Sequence, residues 1–303
     1  MGFLLFMDAL GIQKYYNKGV EFANPIMERI IRTAKNIFNN PLPATKISMK
    51  EDSTNKLCIM NDTIFVYSNQ LTNLLYFSKR FLKSMFIPKT NTDPIIFRGA
   101  ITETKKPPKI VSKKDKDIEN ISISKLVIDN ISSVLFVEKE EVLGARILIH
   151  KDIVGDKYKE WDLRYGICIM DIQNIKNIYG ELENRDGTNL LLRKELKDYY
   201  DLAWMIVSDE KQEKKIYENM TRFWVNAVFD KQASLHASAT MALLRVSQEK
   251  KKRLINYFNK IYNGQKKIGT INFCKPKTKE FKEWYNCAKR LKKNLENGFY
   301  LNP

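Results

Sequence analysis

The stretch Phe3-Leu-Leu-Phe-Met-Asp-Ala-Leu-Gly-Ile12 decides the fold, since it is typical of an apolar strand that ends in a carboxylate and turns at Gly11. A second stretch, Leu57-Cys-Ile-Met-Asn-Asp-Thr-Ile-Phe-Val-Tyr67, contains two apolar runs divided by Asn61-Asp62. That division predicts a tight hairpin with an acidic residue at its tip. If both stretches lie in one sheet, Asp8 and Asp62 are neighbours.

Two carboxylates at one edge of a sheet suit divalent metal ions, which prefer oxygen ligands. A glycine turn beside them leaves backbone N–H groups available for phosphate. Asp8, Asp62 and the turn at Gly11 therefore predict a nucleoside-triphosphate site.

The first hundred residues alternate between strand and helix patterns. Asn24-Pro25 predicts a helix start, because Asn favours the N-cap and Pro the first helical position. Apolar residues at helical spacing predict a second helix over about 70–87, and Pro94–Ile101 predicts another strand. The resulting order β-α-β-β-α-β predicts an α+β fold of ferredoxin-like or palm type, with its helices on one face of the sheet.

The rest of the chain divides into three patterns. Residues 103–120 are polar and rich in Pro and Lys, which predicts an exposed loop. Strands are predicted at 146–150 and 165–171. After about residue 185 the pattern predicts helices over 189–208, 212–230, 234–262 and 278–296. We therefore predict an α/β domain over 1–180 and a helical C-terminal region over 181–303.

Composition limits the class of protein. The 303 residues are 44% hydrophobic, enough for a core, yet no apolar run approaches the roughly 20 residues that span a bilayer. Four scattered cysteines without a CxxC pair favour the cytoplasm, and two histidines make a zinc site improbable. The net charge of +17 favours polyanionic partners, but the lysines are diffuse, so nucleic acid is possible and not favoured.

The motifs resemble those of a known family. Phe6-Met-Asp-Ala-Leu-Gly-Ile12 resembles the first metal motif of class III nucleotide cyclases, commonly Phe-x-Asp-Ile-x-Gly-Phe. Asn61-Asp62-Thr-Ile-Phe-Val resembles their second motif, usually Gly-Asp before an apolar strand. Arg98-Gly-Ala-Ile101, and Glu138 with Ala145-Arg146-Ile147, resemble stretches of a bacterial branch that includes the Pycsar-type pyrimidine cyclases of anti-phage defence. The resemblance covers about residues 3–150.

The resemblance implies roles for particular residues. Asp8 and Asp62 would bind two Mg²⁺ or Mn²⁺ ions, with the Ala9 carbonyl as a further ligand. Backbone N–H groups around Leu10, Gly11 and Ile12 would hold the β- and γ-phosphates. A ribose 3′-oxygen would attack the α-phosphorus and pyrophosphate would leave. Family members act as homodimers with sites at the subunit interface.

Two positions depart from the usual pattern. Four residues before the second metal Asp, well-studied class III enzymes carry a Lys for adenine or a Glu for guanine, whereas this chain carries Cys58. Cys58 makes a pyrimidine or an unusual base more plausible. The Asn-x-x-x-Arg pair that stabilises the transition state is absent near 125–140, so Arg98, Lys139 and Arg146 are alternative sources of the cation.

Three functions stay open from the sequence. The first is a cytoplasmic, metal-dependent nucleotide cyclase, with a defence-signalling role resting on the resemblance alone. The second is a catalytically inactive cyclase-like module for nucleotide sensing or dimerisation, which the missing Asn-x-x-x-Arg favours. The third is a palm-type nucleic-acid enzyme, which shares the same core and paired aspartates and fits the positive charge.

Overall fold

The computed structural model of the protein describes residues 2–40, 48–87, 92, 94–114, 122–127, 145–155, 170–171, 199–201 and 219. The strands in these ranges are β1 (Gly2–Leu10), β2 (Lys56–Met60), β3 (Thr63–Ser68), β4 (Ile96–Thr104), β5 (Lys109–Lys114), β6 (Ser122–Val127), β7 (Ile147–His150), β8 (Met170–Asp171) and β9 (Tyr199–Asp201). The helices there are α1 (Gln13–Tyr16), α2 (Val20–Asn39), α3 (Leu71–Phe86) and α4 (Lys151–Val154). None of these helices is both long and apolar enough to cross a membrane.

One mixed sheet organises the described part of the chain. Its strand order is β2-β3-β1-β4-β7-β9-β8, and β4 pairs with β7 in parallel while the other neighbours are antiparallel. The apolar run Leu4–Met7 is buried, so side chains of β1 are covered on both faces of the sheet. Sheet and helices together confirm an α+β architecture.

Helix α3 covers the sheet face that carries Phe97. The Phe81 ring meets the Phe97 ring edge-on, with centroids 4.9 Å apart, and Phe77 stacks on Phe81 at 5.8 Å. Aromatic contacts of this kind add to the stabilisation from buried apolar area. The helix predicted over about 70–87 is confirmed, and the apolar residues that recur in it at helical spacing are all buried: Leu71, Leu74, Leu75, Phe81, Leu82 and Met85. Helix α2 packs against α3.

The opposite face of the sheet carries a second apolar cluster. Leu4, Phe6, Phe65 and Tyr67 pack together on it, and the Phe6 and Phe65 rings lie 5.5 Å apart. Directly paired residues of antiparallel strands point to the same face. The same face therefore also holds Asp8, two residues beyond Phe6.

The start of α2 differs from the sequence-based prediction. The helix begins at Val20 after Gly19, not at Asn24-Pro25, and Pro25 lies inside it. The buried face of α2 explains the difference, because Ala23 precedes Ile30 by seven residues and is fully buried with it. Burial of Ala23 in the added turn outweighs the local preference of Pro for a helix start.

The loop predicted over 103–120 is wrong in part. Strand β4 continues to Thr104, and Lys109–Lys114 forms β5, which pairs antiparallel with β6 in a separate two-stranded sheet. The β-branched residues Ile110 and Val111 favour an extended backbone, and the partner strand supplies the hydrogen bonds that a loop would leave to water.

The helix predicted over 189–208 is also wrong where the structure describes it, since Tyr199–Asp201 is a strand beside β7. Pairing with β7 gives this segment backbone partners that override its helical pattern. Asn219 is helical, in agreement with the prediction over 212–230 at that residue. Two predicted helices, over 234–262 and 278–296, lie outside the described residues, as does most of the strand predicted over 165–171. The division of the chain at residue 180 stays a prediction.

Candidate functional site

Asp8 lies in a row of side chains that crosses three strands. It pairs directly with Thr63 of β3 on one side and with Arg98 of β4 on the other. The Thr63 hydroxyl donates a hydrogen bond to Asp8 Oδ1 over 3.0 Å, and Arg98 Nε lies 4.0 Å from Asp8 Oδ2. Asp8 keeps 26% of its side-chain surface exposed and Arg98 keeps 15%. The carboxylate is therefore oriented by its neighbours and still reachable from solvent.

The hairpin tip meets the end of β1 beside this row. Met60 pairs with Thr63, so Asn61 and Asp62 form a two-residue turn, with Asn61 at a φ of +52°. Asn is among the residues that best tolerate this backbone conformation. The Ala9 N–H donates to the Asp62 carbonyl oxygen over 3.2 Å. The positions of Asp8 and Asp62 are thus brought together, as the sequence predicts, and Asp62 is partly exposed.

The chain turns sharply where β1 ends. Leu10 is the last residue of the strand, Gly11 adopts a φ of +76°, and Ile12 is the buried N-cap residue of α1. Such a left-handed conformation is open to glycine at little cost. Within the described part of the chain, the N–H groups of Gly11 and Ile12 donate no hydrogen bond. These donors point to an anion-binding turn next to Asp8.

Cys58 occupies the next row of the same sheet face. It pairs with Phe65, which in turn pairs with Phe6, and it packs half-buried against the apolar cluster. Burial raises the pKa of the Cys58 thiol above its ordinary value of 9.0. The thiol is therefore neutral at pH 7 and offers the site a small apolar surface with a weak donor.

The two candidate arginines differ in exposure. Arg98 reaches the Asp8 carboxylate and is partly exposed, whereas the Arg146 side chain is fully buried. Arg146 directly precedes β7, and its carbonyl accepts a hydrogen bond from the Gly99 N–H over 2.7 Å. Of these two, Arg98 is the one placed to meet a bound ligand. Lys139, the third alternative, lies outside the described residues.

Thr63 is the site residue that sequence reasoning missed. It directly follows Asp62, so a hairpin with a two-residue turn makes it the first residue of β3. A register that pairs β1 with β3 then places it opposite Asp8. The hairpin pattern indicates that Thr63 begins a strand. To place Thr63 opposite Asp8, however, one must also know the register between β1 and β3, which are distant in sequence.

The oxygen donors at this edge fit a hard divalent cation. Carboxylates and backbone carbonyls suit Mg²⁺ and Mn²⁺, and Asp8, Asp62 and Ala9 supply both kinds at adjacent positions. Among the described residues, no group of three or more His, Cys, Asp or Glu side chains comes together. An ion here would need further oxygens from substrate phosphates and water, which is how proteins usually bind Mg²⁺.

The arrangement as a whole places the Asp8 carboxylate, Arg98 and an apolar cluster on one sheet face, with Asp62 and the N–H groups of Gly11 and Ile12 beside the end of β1. These groups have the chemistry to hold a metal-bound phosphate chain with an apolar moiety beside it.

Comparison with known proteins found no match, either among protein-family models or among curated proteins.

Proposed function

We propose that the protein is a metal-dependent nucleotide cyclase that converts a nucleoside triphosphate to a 3′,5′-cyclic mononucleotide and pyrophosphate. One observation carries the proposal: the hydrogen bond from Ala9 N–H to the Asp62 carbonyl joins the hairpin tip to the strand end that bears Asp8. The backbone of Asp62 thereby lies next to the residue that follows Asp8, beside a glycine turn. This is the juxtaposition that the resemblance to class III cyclases requires.

The strand arrangement supports the finer fold assignment. In the order β2-β3-β1-β4, the connection from β1 through α2 to β2 leaves β3 inserted between the two strands. We propose that these four strands and helices α2 and α3 form a ferredoxin-like, palm-type unit.

Each group at the site has a part in the proposed reaction. The carboxylates of Asp8 and Asp62 would hold Mg²⁺ or Mn²⁺. The bound ions would lower the pKa of the ribose 3′-hydroxyl and neutralise the leaving pyrophosphate. The N–H groups of Gly11 and Ile12 would orient the phosphate chain so that the 3′-oxygen attacks the α-phosphorus in line. Arg98 would add positive charge near the transferring phosphoryl group.

The base would lie near Cys58. A neutral thiol packed against an apolar cluster cannot make the ionic contacts by which a Lys or Glu would select a purine. This environment supports a pyrimidine base. We further propose a homodimer and a cytoplasmic location, because the resembling family has its sites at subunit interfaces and the unpaired cysteine pattern suits a reducing compartment.

The test is incubation of the full chain with each of the four ribonucleoside triphosphates, with Mg²⁺ and with Mn²⁺, and identification of products by mass spectrometry. Asp8→Asn and Asp62→Asn are expected to abolish product, since phosphoryl transfer depends on charge neutralisation. Asp52→Asn is the matched control, because the Asp52 carboxylate accepts a hydrogen bond from Thr54 and precedes the start of β2, at the end of the hairpin opposite the Asn61-Asp62 turn. Product from either variant at the wild-type rate would refute the site assignment.

A palm-type nucleic-acid enzyme is the second candidate, and one observation favours it. Lys105, Lys106 and Lys109 are exposed where β4 leads into the ribbon formed by β5 and β6. Exposed lysines next to a two-stranded ribbon suit the phosphates of a duplex. Affinity for duplex DNA or RNA that falls steeply with salt, without cyclic product from any triphosphate, would favour this candidate over the cyclase.

A further inference from the structure

The two oxygens of the Asp8 carboxylate face different neighbours. Oδ1 accepts a hydrogen bond from Thr63 Oγ1 over 3.0 Å, while Oδ2 lies 4.0 Å from Arg98 Nε. A separation of 4.0 Å is beyond hydrogen-bond range, so the attraction between Oδ2 and Nε is ionic. Such a contact orients the guanidinium less strictly than a bidentate hydrogen-bonded pair would.

We infer that Arg98 is the resident counter-ion of Asp8 in the metal-free protein and that it competes with a divalent cation for this carboxylate. The inference rests on the proposed function in one respect, the role of Asp8 as a metal ligand. It adds that metal affinity at this site is limited by a positive charge supplied by the neighbouring strand.

The competition follows from charge and distance. Arg98 and Asp8 are directly paired on β4 and β1, and Arg98 Nε lies 4.0 Å from Asp8 Oδ2. A cation bound to the Asp8 carboxylate would therefore be close to the guanidinium. Repulsion between a single and a double positive charge at such a distance is strong, although partial exposure of both side chains weakens it. Removal of the Arg98 charge should therefore tighten metal binding by roughly tenfold.

A role for Arg98 in catalysis alone predicts a different result. An arginine that only stabilises the transition state leaves metal affinity unchanged when it is replaced. An arginine that supports metal binding by orienting Asp8 lowers metal affinity when it is replaced. Only competition for Asp8 predicts that a neutral residue at position 98 raises metal affinity.

The experiment measures Mn²⁺ binding to the full-length protein by electron paramagnetic resonance, without nucleotide. The variants are Arg98→Met, which removes the charge, and Arg98→Lys, which keeps it. Arg32→Met is the matched control, since Arg32 is exposed on α2 and its loss lowers the net charge equally. Asp8→Asn assigns the binding to this site.

The expected dissociation constant falls about tenfold in Arg98→Met and stays within about threefold of wild type in Arg98→Lys and Arg32→Met. Equal or weaker binding in Arg98→Met would overturn the inference. Thermal melting establishes that each variant is folded, and Arg98→Gln, which can still donate hydrogen bonds, replaces Arg98→Met if the latter does not fold.

The outcomes separate the inference from the cyclase proposal. Tighter Mn²⁺ binding in Arg98→Met without cyclic product from any triphosphate supports the competition and counts against the cyclase. Cyclic product from the wild type, with unchanged binding in Arg98→Met, supports the cyclase and overturns the competition. Absence of any Asp8-dependent Mn²⁺ binding in the wild type overturns both.

Discussion

Thr63 donates its hydroxyl hydrogen to the Asp8 carboxylate across the directly paired positions of β3 and β1, over 3.0 Å. The residue that follows the hairpin tip thus orients a carboxylate near the end of β1. A hydrogen bond to a charged acceptor contributes more than one between neutral groups. The hairpin therefore contributes to the candidate site twice, through Asp62 and through Thr63.

Thr63→Val is expected to lower the rate of the proposed cyclase reaction by about tenfold or more, because it removes a hydrogen bond that orients Asp8. Valine keeps the β-branched shape, so the free energy of unfolding should fall only by the contribution of the lost hydrogen bond, about 1–3 kcal/mol. Steady-state rates at saturating Mn²⁺ and urea unfolding measure the two effects. Thr63→Ser keeps the hydroxyl and should recover most of the activity, and a rate for Thr63→Val equal to that of wild type would contradict the role.

The first hundred residues were largely predictable because their patterns are local. The hairpin of β2 and β3 follows from its apolar runs and from turn residues such as Asn61, and α3 follows from apolar residues at helical spacing. The start of α2 was not predictable in this way, since burial of Ala23 against the rest of the fold overrides the signal from Pro25. The strand at Tyr199–Asp201 depends on pairing with β7, which no local pattern encodes.

The candidate site was predictable to the same extent. Asp8 and Asp62 stand out because each interrupts an apolar strand pattern with a charge. Their neighbours Thr63 and Arg98 depend on the registers that pair β1 with β3 and β4. A one-residue shift in either register would turn the partner side chain to the other face of the sheet. Such registers are set by packing of the whole sheet, so the sequence indicates the aspartates and not what holds them.

Gly99→Ala is expected to destabilise the fold by at least about 3 kcal/mol. A Cβ at position 99 would overlap the Phe6 carbonyl oxygen, which is part of the backbone pairing between β1 and β4. The oxygen cannot move away without loss of that pairing. Urea unfolding of Gly99→Ala against wild type measures the cost.

Gly155→Ala provides the control for this prediction. Gly155 adopts a φ of +57°, yet nothing lies within 4 Å of a Cβ built there. With a ψ of −151°, this conformation is one that residues with a Cβ rarely adopt, so the substitution should cost about 1–3 kcal/mol, from backbone strain alone. Equal costs at positions 99 and 155 would show that the close approach of β4 to β1 does not constrain residue 99.

Cys58 is expected to resist alkylation until the pH rises above 9.0, because burial raises the pKa of its thiol above that ordinary value and only the thiolate reacts. Rates of iodoacetamide labelling, followed by peptide mass spectrometry across pH 7 to 11, measure the midpoint, and the urea-unfolded protein gives the reference. A midpoint at or below 9.0 in the folded protein would contradict the burial of Cys58.

The same shift has a consequence for stability at alkaline pH. Burial also raises the pKa of Tyr67 above its ordinary value of 10.0. The folded chain then keeps protons that the unfolded chain has released, so the free energy of unfolding falls as pH rises above about 9. Cys58→Ser removes one of these titrations and should make the decline shallower in urea unfolding measured at pH 8, 9 and 10.

Asn219→Ala is expected to destabilise the protein by about 1–3 kcal/mol. The buried Asn219 amide donates from Nδ2 to the Phe86 carbonyl oxygen over 2.9 Å. Phe86 is the last residue of α3, where carbonyl groups have no partner within the helix, so Asn219 satisfies an acceptor that helix geometry leaves open.

Asn40→Ala is the matched control, because Asn40 makes a similar amide-to-carbonyl bond to Asn36 at the exposed end of α2, where water replaces the lost donor. Urea unfolding should show a clear loss for position 219 and a loss well below 1 kcal/mol for position 40. Equal, small losses would mean that Asn219 does not hold the carbonyl at the end of α3.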